Sequence, residues 1–260
     1  MTGVSPLARA YDLIQPSSGD GRAPAIVFAH GTRLTRAMWT PQVAQLGDEF
    51  RVLTLDLPGH GTMADELFTM AGAADHVAAV IREAIGGPAV VVGLSLGGYV
   101  AMATAERHPS LVRGLVLSGA TAEPNGPRAV PYRTLAWAMT RFDGPRLDAL
   151  NAWFFRSRFE PTVSEPIVTA GFWSRGGATA LRAVAGERFT PRLAGYDGPT
   201  LIINGEYDLP FRLSAARFAR SARHVQRVRI RGATHLANLD RPAAFSTAVR
   251  RFVRSLDEAR

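Results

Sequence analysis

Short apolar runs recur along the chain and alternate with longer stretches in which apolar positions repeat every three to four residues. The runs are Ala25–Ala29 (AIVFA), Arg51–Leu55 (RVLTL), 89–92 (AVVV), 114–118 (GLVLS), 200–204 (TLIIN) and 227–230 (RVRI). Their length and β-branched content predict strands, and the unbroken apolar character predicts strands covered on both faces. The amphipathic stretches predict helices near 39–47, 71–85, 98–108, 212–222 and 242–257. The alternation predicts an α/β fold, a mostly parallel twisted sheet flanked by helices. In such sheets ligands bind at the carboxyl ends of the strands.

The rhythm breaks between about Thr121 and Pro191. Strand signals vanish there, and proline-punctuated aromatic and helical stretches replace them. This predicts a helical cap, residues 121–191, inserted into a core made of 1–120 and 192–260. Trp137, Trp153, Phe154 and Trp173 in the cap are the expected lining of an apolar substrate pocket.

Composition narrows this picture. The chain has 260 residues and 47% hydrophobic content, enough for one large domain or a core with a cap. Residues 84–105 carry no charge, but Gly86, Gly87, Pro88 and the glycines around Ser95 interrupt them. A buried strand, turn and helix is expected there rather than a membrane span. The first residues show no basic and apolar leader pattern, so a cytoplasmic protein is expected. Cysteine is absent, which removes disulfides and thiolate chemistry. The net charge is +8, and every basic residue is an arginine. The arginines crowd the last quarter with no nucleic-acid-binding motif beside them, so solvated faces are expected rather than a nucleic-acid or membrane partner.

The chemistry-bearing pattern begins at Gly93-Leu94-Ser95-Leu96-Gly97-Gly98, directly after the AVVV run and before a helical stretch. A G-x-S-x-G between strand and helix is the setting of a nucleophile elbow, where a strained turn lifts the serine hydroxyl. A serine needs a base, and the base needs an orienting acid. His235, after the last strand, supplies the base. Asp208, after the preceding strand, supplies the acid, with Glu206 as its nearby competitor. Oxyanion donors are expected from the backbone N–H of Leu96 and of Thr32, the latter in the loop after the first run. Asp56 and His60, in a turn-rich segment, read as structural. No histidine pair has metal-ligand spacing beside a carboxylate, so neither a metal nor another cofactor is expected.

These motifs resemble the α/β-hydrolase superfamily: His30-Gly31, Asp56-x-Pro58-Gly59-His60-Gly61, Gly93-x-Ser95-x-Gly97-Gly98, Gly205-Glu206-Tyr207-Asp208 and His235. The resemblance implies the α/β-hydrolase fold with an inserted helical cap. Ser95 at the elbow argues against the branches that attack with aspartate. The missing lysine argues against hydroxynitrile lyases, and Leu236 and Ala237 after His235 argue against carbon–carbon hydrolases. The chain is most similar to small esterases and lactonases, including 3-oxoadipate enol-lactonases. The matching stretches are Met38-Trp39-x-Pro41-Gln42, Phe50-Arg51-Val52-Leu53, Arg107-His108-Pro109 and 235–242, where Asp240 stands in place of the usual glutamate. A serine hydrolase of small esters or lactones is expected, working through an acyl-enzyme on Ser95. The other readings are a lyase, cyclase or cofactor-free oxygenase in the same pocket, or a small-ligand receptor. Arg33, beside Thr32, pairs with a substrate carboxylate, points to solvent or braces its loop.

Overall fold

A computed structural model describes residues 6–16 and 23–258. The leader reading of the first five residues lies outside them. Seven strands form one sheet in the order β1-β3-β2-β4-β5-β6-β7. They are β1 Tyr11–Ile14, β2 Ala25–Ala29, β3 Arg51–Leu55, β4 Ala89–Leu94, β5 Val112–Ser118, β6 Pro199–Gly205 and β7 His224–Ile230. All neighbours run parallel except β1, which pairs antiparallel with β3. The central strand, β4, is fully buried along its length. Its AVVV run serves both layers, with Ala89 and Val91 facing one and Val90 and Val92 the other. Each buried valine contributes on the order of 1.5–3 kcal/mol.

Two departures from the apolar pattern occur at the sheet's edges. β1 gives no run because it is a short edge strand with alternating burial and a polar Asp12. β7 is not covered on both faces. Only Ile230 is fully buried, while Arg227 and Arg229 stand exposed, where charge discourages pairing with a foreign strand.

The helices are α1 Thr40–Leu46, α2 Met70–Val80, α3 Leu96–Arg107, α4 Val130–Arg141, α5 Pro145–Arg158, α6 Pro161–Ala170, α7 Ser174–Val184, α8 Thr190–Ala194, α9 Leu209–Ala219, α10 Ala237–Asp240 and α11 Pro242–Glu258. α2, α3 and α9 cover one face of the sheet. α1 and α11 cover the other, around Trp39, Phe28 and Phe245. No described helix is long and apolar enough to cross a membrane.

Helices α4 to α8 lie between β5 and β6. α4 packs on α7 through Ala136, Met139, Ala178 and Leu181, while Ala180 and Val184 of α7 and Leu193 of α8 join one core layer and Phe155 of α5 and Ile167 of α6 the other. The two ends of this insertion are tied together. Buried Glu123 accepts hydrogen bonds from the N–H groups of Phe189 and Thr190, and Gly186 N–H donates to Pro124 O at 2.7 Å. Tyr132 on α4 meets Tyr99 on α3, with their hydroxyls 2.8 Å apart. Tyr99 spends its proton on Ala122 O, so Tyr132 is the donor between the two.

Candidate active site

Ser95 occupies the turn between β4 and α3 with φ 53° and ψ −114°. A non-glycine residue held there stores on the order of 1–3 kcal/mol. What holds it is the sheet. Ser95 N–H donates to Ser118 O at 2.8 Å, and Ser95 O accepts from Gly98 N–H at 3.0 Å. The turn also needs a bare backbone two residues on. A Cβ on Gly97 would collide with the Ala29 carbonyl group and lie 2.8 Å from His30 O. The start of α3 therefore rests directly on the end of β2, where the next loop begins.

Asp208 and His235 follow β6 and β7. His235 Nδ1 donates to Asp208 Oδ2 at 3.0 Å. A carboxylate only accepts, so Nδ1 carries the hydrogen, which leaves Nε2 as the nitrogen able to take a proton whenever the ring is neutral. Phe211 of α9 packs on the imidazole, with ring centroids 4.9 Å apart. Asp208 is buried, whereas the His235 side chain is 36% exposed. Gly119 locates the pair relative to the serine. A Cβ there would lie 2.8 Å from His235 Cε1 and 3.2 Å from Asp208 Oδ2. Gly119 directly follows Ser118, whose carbonyl takes the Ser95 N–H. Serine, histidine and aspartate thus share one corner at the carboxyl edge of the sheet. Glu206 is engaged elsewhere, accepting from Gly232 N–H at 2.9 Å. Asp240 braces the histidine loop by accepting from Thr234 N–H and hydroxyl at 2.7 and 2.6 Å.

Among the described residues, neither Leu96 N–H nor Thr32 N–H has a hydrogen-bond partner. Leu96 opens α3, where the helix dipole favours negative charge. Thr32 follows Gly31, at which a Cβ would lie 3.8 Å from Ser95 Cβ. Two unpartnered donors thus follow the neighbouring parallel strands β4 and β2, one of them directly after the serine. Arg33 does not extend into solvent. Its guanidinium donates to Asn151 Oδ1 of α5 at 2.8 Å, and burial lowers its pKa against the opposing charge of Asp148. The guanidinium is held in the manner of a brace rather than turned to solvent.

The loops behind the site are held by buried polar groups. Asp56 accepts from Arg36 N–H and guanidinium and from Thr62 N–H and hydroxyl. His30 Nε2 accepts from Leu57 N–H at 2.9 Å, and its Nδ1 faces Gly31 O at 2.8 Å. His60 Nε2 accepts from Arg33 N–H at 3.2 Å, with Nδ1 facing Pro58 O. Both rings are therefore neutral Nδ1–H tautomers. Burial lowers the His30 pKa. It lowers that of His60 to about 3, with His30 adding to the effect. The unfolded chain binds these protons near the ordinary histidine pKa, so stability is complete above it and declines as pH falls below it. From His60 alone the expected loss between pH 7.5 and pH 5 is about 2 kcal/mol. Urea melts at the two pH values measure it. His60→Asn should flatten the dependence, and a wild type equally stable at both pH values would refute it.

The cap aromatics divide. Trp137 and Trp153 are 59% and 65% exposed. Each stands on the flank of its helix away from the packed residues, Ala136 and Met139 on α4 and Asn151 and Phe155 on α5. Pocket lining by these two is not what the structure shows, because helical phase carries them outward. Trp173 donates its indole N–H to Ala170 O and lines a separate groove with Thr35 and Arg36. Phe154 lies on α5 between Asn151, which holds Arg33, and Arg158, which donates to Thr234 Oγ1 beside His235. Its ring packs on Phe155 and under the Arg158 guanidinium, while Trp173 reaches the oxyanion loop through its backbone N–H, which donates to Arg33 O. Sequence reasoning missed Phe211, Gly119, Asn151 and Asp240. Only Asp240 gave a signal, through its place in the segment after His235. No three His, Asp or Glu side chains among the described residues gather as metal ligands.

A model of the alpha/beta hydrolase family matches residues 26–248. The chain is 26% identical to 3-oxoadipate enol-lactonase 1 of Acinetobacter baylyi, over 92% of each chain. It is 32% identical to the pimeloyl-(acyl-carrier protein) methyl ester esterase of Xanthomonas campestris pv. campestris, over 91% of this chain and 97% of that one. Among solved structures, a thermophilic esterase from Thermogutta terrifontis superposes with a TM-score of 0.76 at 29% identity, covering 95% of this chain and 93% of that one.

Proposed function

The chain belongs to the alpha/beta hydrolase family, and from that premise we propose that it cleaves small carboxylic esters or lactones through an acyl-enzyme on Ser95. The observation that carries this reading is the His235–Asp208 hydrogen bond set beside an elbow serine. The esterase and lactonase names of the relatives support the choice of bond.

Ser95 Oγ attacks the carbonyl carbon while its proton passes to His235 Nε2. Asp208 holds the ring in the tautomer that can accept it and stabilises the imidazolium. The carbonyl oxygen becomes an oxyanion held by the N–H groups of Leu96 and Thr32. The carbon–oxygen bond to the alcohol then breaks as His235 returns the proton to the departing oxygen. In a lactone that alcohol stays tethered to the acyl group. Water, deprotonated by His235, attacks the acyl-enzyme and releases the carboxylic acid and free Ser95.

The test pairs turnover with labelling. The wild type should hydrolyse short aryl esters or simple lactones. An aryl phosphonate should add one phosphonyl group to the peptide containing Ser95. Failure on every ester and lactone, together with no adduct on Ser95, would overturn the reading.

A further inference from the structure

We propose that Arg33 is a positioning residue that makes the Thr32 oxyanion donor depend on the seating of the helical insertion; this rests on the hydrolase reading above. Arg33 has φ 64° and, with Ser95, is one of two described non-glycine residues at positive φ. A left-handed arginine is strained; a local turn bond from Leu34 N–H to Gly31 O at 3.3 Å encloses residues 32 and 33, and the surroundings supply the remaining holds. One hold comes from the core, where Arg33 N–H donates to His60 Nε2. The others come from the insertion. Trp173 N–H donates to Arg33 O at 2.9 Å. The Thr32 hydroxyl donates to Gly177 O at 3.3 Å. The Arg33 guanidinium donates to Asn151.

The approach is close. A Cβ on Gly177 would lie 2.8 Å from Arg33 Cγ and 2.9 Å from Thr32 Oγ1. α7 therefore lies directly on the loop while α5 grips the end of the arginine. The grip is incomplete. Asp148 Oδ1 and Asn151 Nδ2 are buried without hydrogen-bond partners. The insertion is anchored by apolar contacts, through Phe155 and Ile167 in one core layer and Ala180 and Val184 in the other, so the unmet polar atoms mark the α5 grip as its weaker part. Loss of the insertion's contacts removes three of the five holds on residues 32 and 33. The left-handed turn then relaxes, and Thr32 N–H leaves the place where an oxyanion forms.

Asn151→Leu removes the grip while keeping the side chain's bulk, and Arg33→Ala and Arg33→Gly separate grip from backbone strain. On a short neutral ester, Asn151→Leu is expected to lower kcat about 10- to 100-fold, part of the loss seen when an oxyanion donor is removed, with KM little changed. Binding of a trifluoromethyl ketone, which forms the oxyanion adduct, should weaken in parallel. Arg33→Gly, free of strain at positive φ, should retain more turnover than Arg33→Ala. Hydrogen exchange of the peptide spanning residues 30–36 should speed up in Asn151→Leu. A rise in KM at constant kcat, or unchanged exchange in that peptide, would overturn the proposal. The exchange result is independent of turnover, so a wild type that hydrolyses nothing defeats the hydrolase reading while exchange still decides the coupling.

Discussion

Ser95→Ala is expected to lower kcat/KM on any ester substrate by about 10⁴- to 10⁶-fold, with little change in stability. The effect is large because the serine oxygen is the atom that forms the proposed covalent bond. Without it, only the donors at Leu96 and Thr32 and a water beside His235 remain to act on a bound ester. His235→Ala added to Ser95→Ala should then cost little more, because the groups work as one unit. Stability holds because alanine meets the same φ of 53° that serine does and the Ser95 N–H bond to Ser118 O is kept. Steady-state kinetics with an aryl ester, alongside a thermal melt, measure both. A variant that keeps a tenth of the activity would place bond formation elsewhere.

Gly97→Ala is expected to destabilise the protein by about 3 kcal/mol or more, or to prevent its accumulation as a folded chain. The new methyl group would drive into the Ala29 carbonyl group, and neither partner can yield. Ala29 is paired with both Leu55 and Gly93 in the sheet, and Gly97 sits in the first turn of a buried helix. Any shift that relieves the clash also moves Leu96 N–H, so surviving protein should turn over slowly. Gly87→Ala is the control, since nothing lies within 4 Å of a Cβ there. Urea unfolding of the two variants should differ widely. A Gly97→Ala midpoint near wild type would contradict the close approach.

Both predictions concern a segment that is plain in the sequence, and the reason is physical. A strand buried on both faces writes a run of β-branched residues, and a strained turn writes glycines at fixed offsets. Ser95, Asp208 and His235 could be placed because each follows its own strand, and parallel strands put those ends on one edge. The features that escaped depend on partners far along the chain. Arg33 meets Asn151 118 positions away. Gly119 lies against Asp208 because β5 and β6 are neighbours, and against His235 because β7 follows next in the sheet. The cap aromatics misled for a related reason. An aromatic residue shows that its helix has surface to cover, but not which flank meets the core, and Trp137 and Trp153 were carried outward by helical phase. β1 is too short, and β7 too charged, to look like buried strands.

Glu123 joins the two points where the chain leaves the sheet and rejoins it. With those points stapled, β5 and β6 stay adjacent whatever the intervening stretch contains. The stretch is in effect a cassette. A replacement lid spliced between residues 123 and 189 has to supply the core side chains now given by Phe155, Ile167, Ala180 and Val184, as well as an acceptor for the Arg33 guanidinium. Under the proposed chemistry, the sheet edge and the cassette can be inherited separately, so relatives sharing this core can diverge in what they take up without rebuilding how they react.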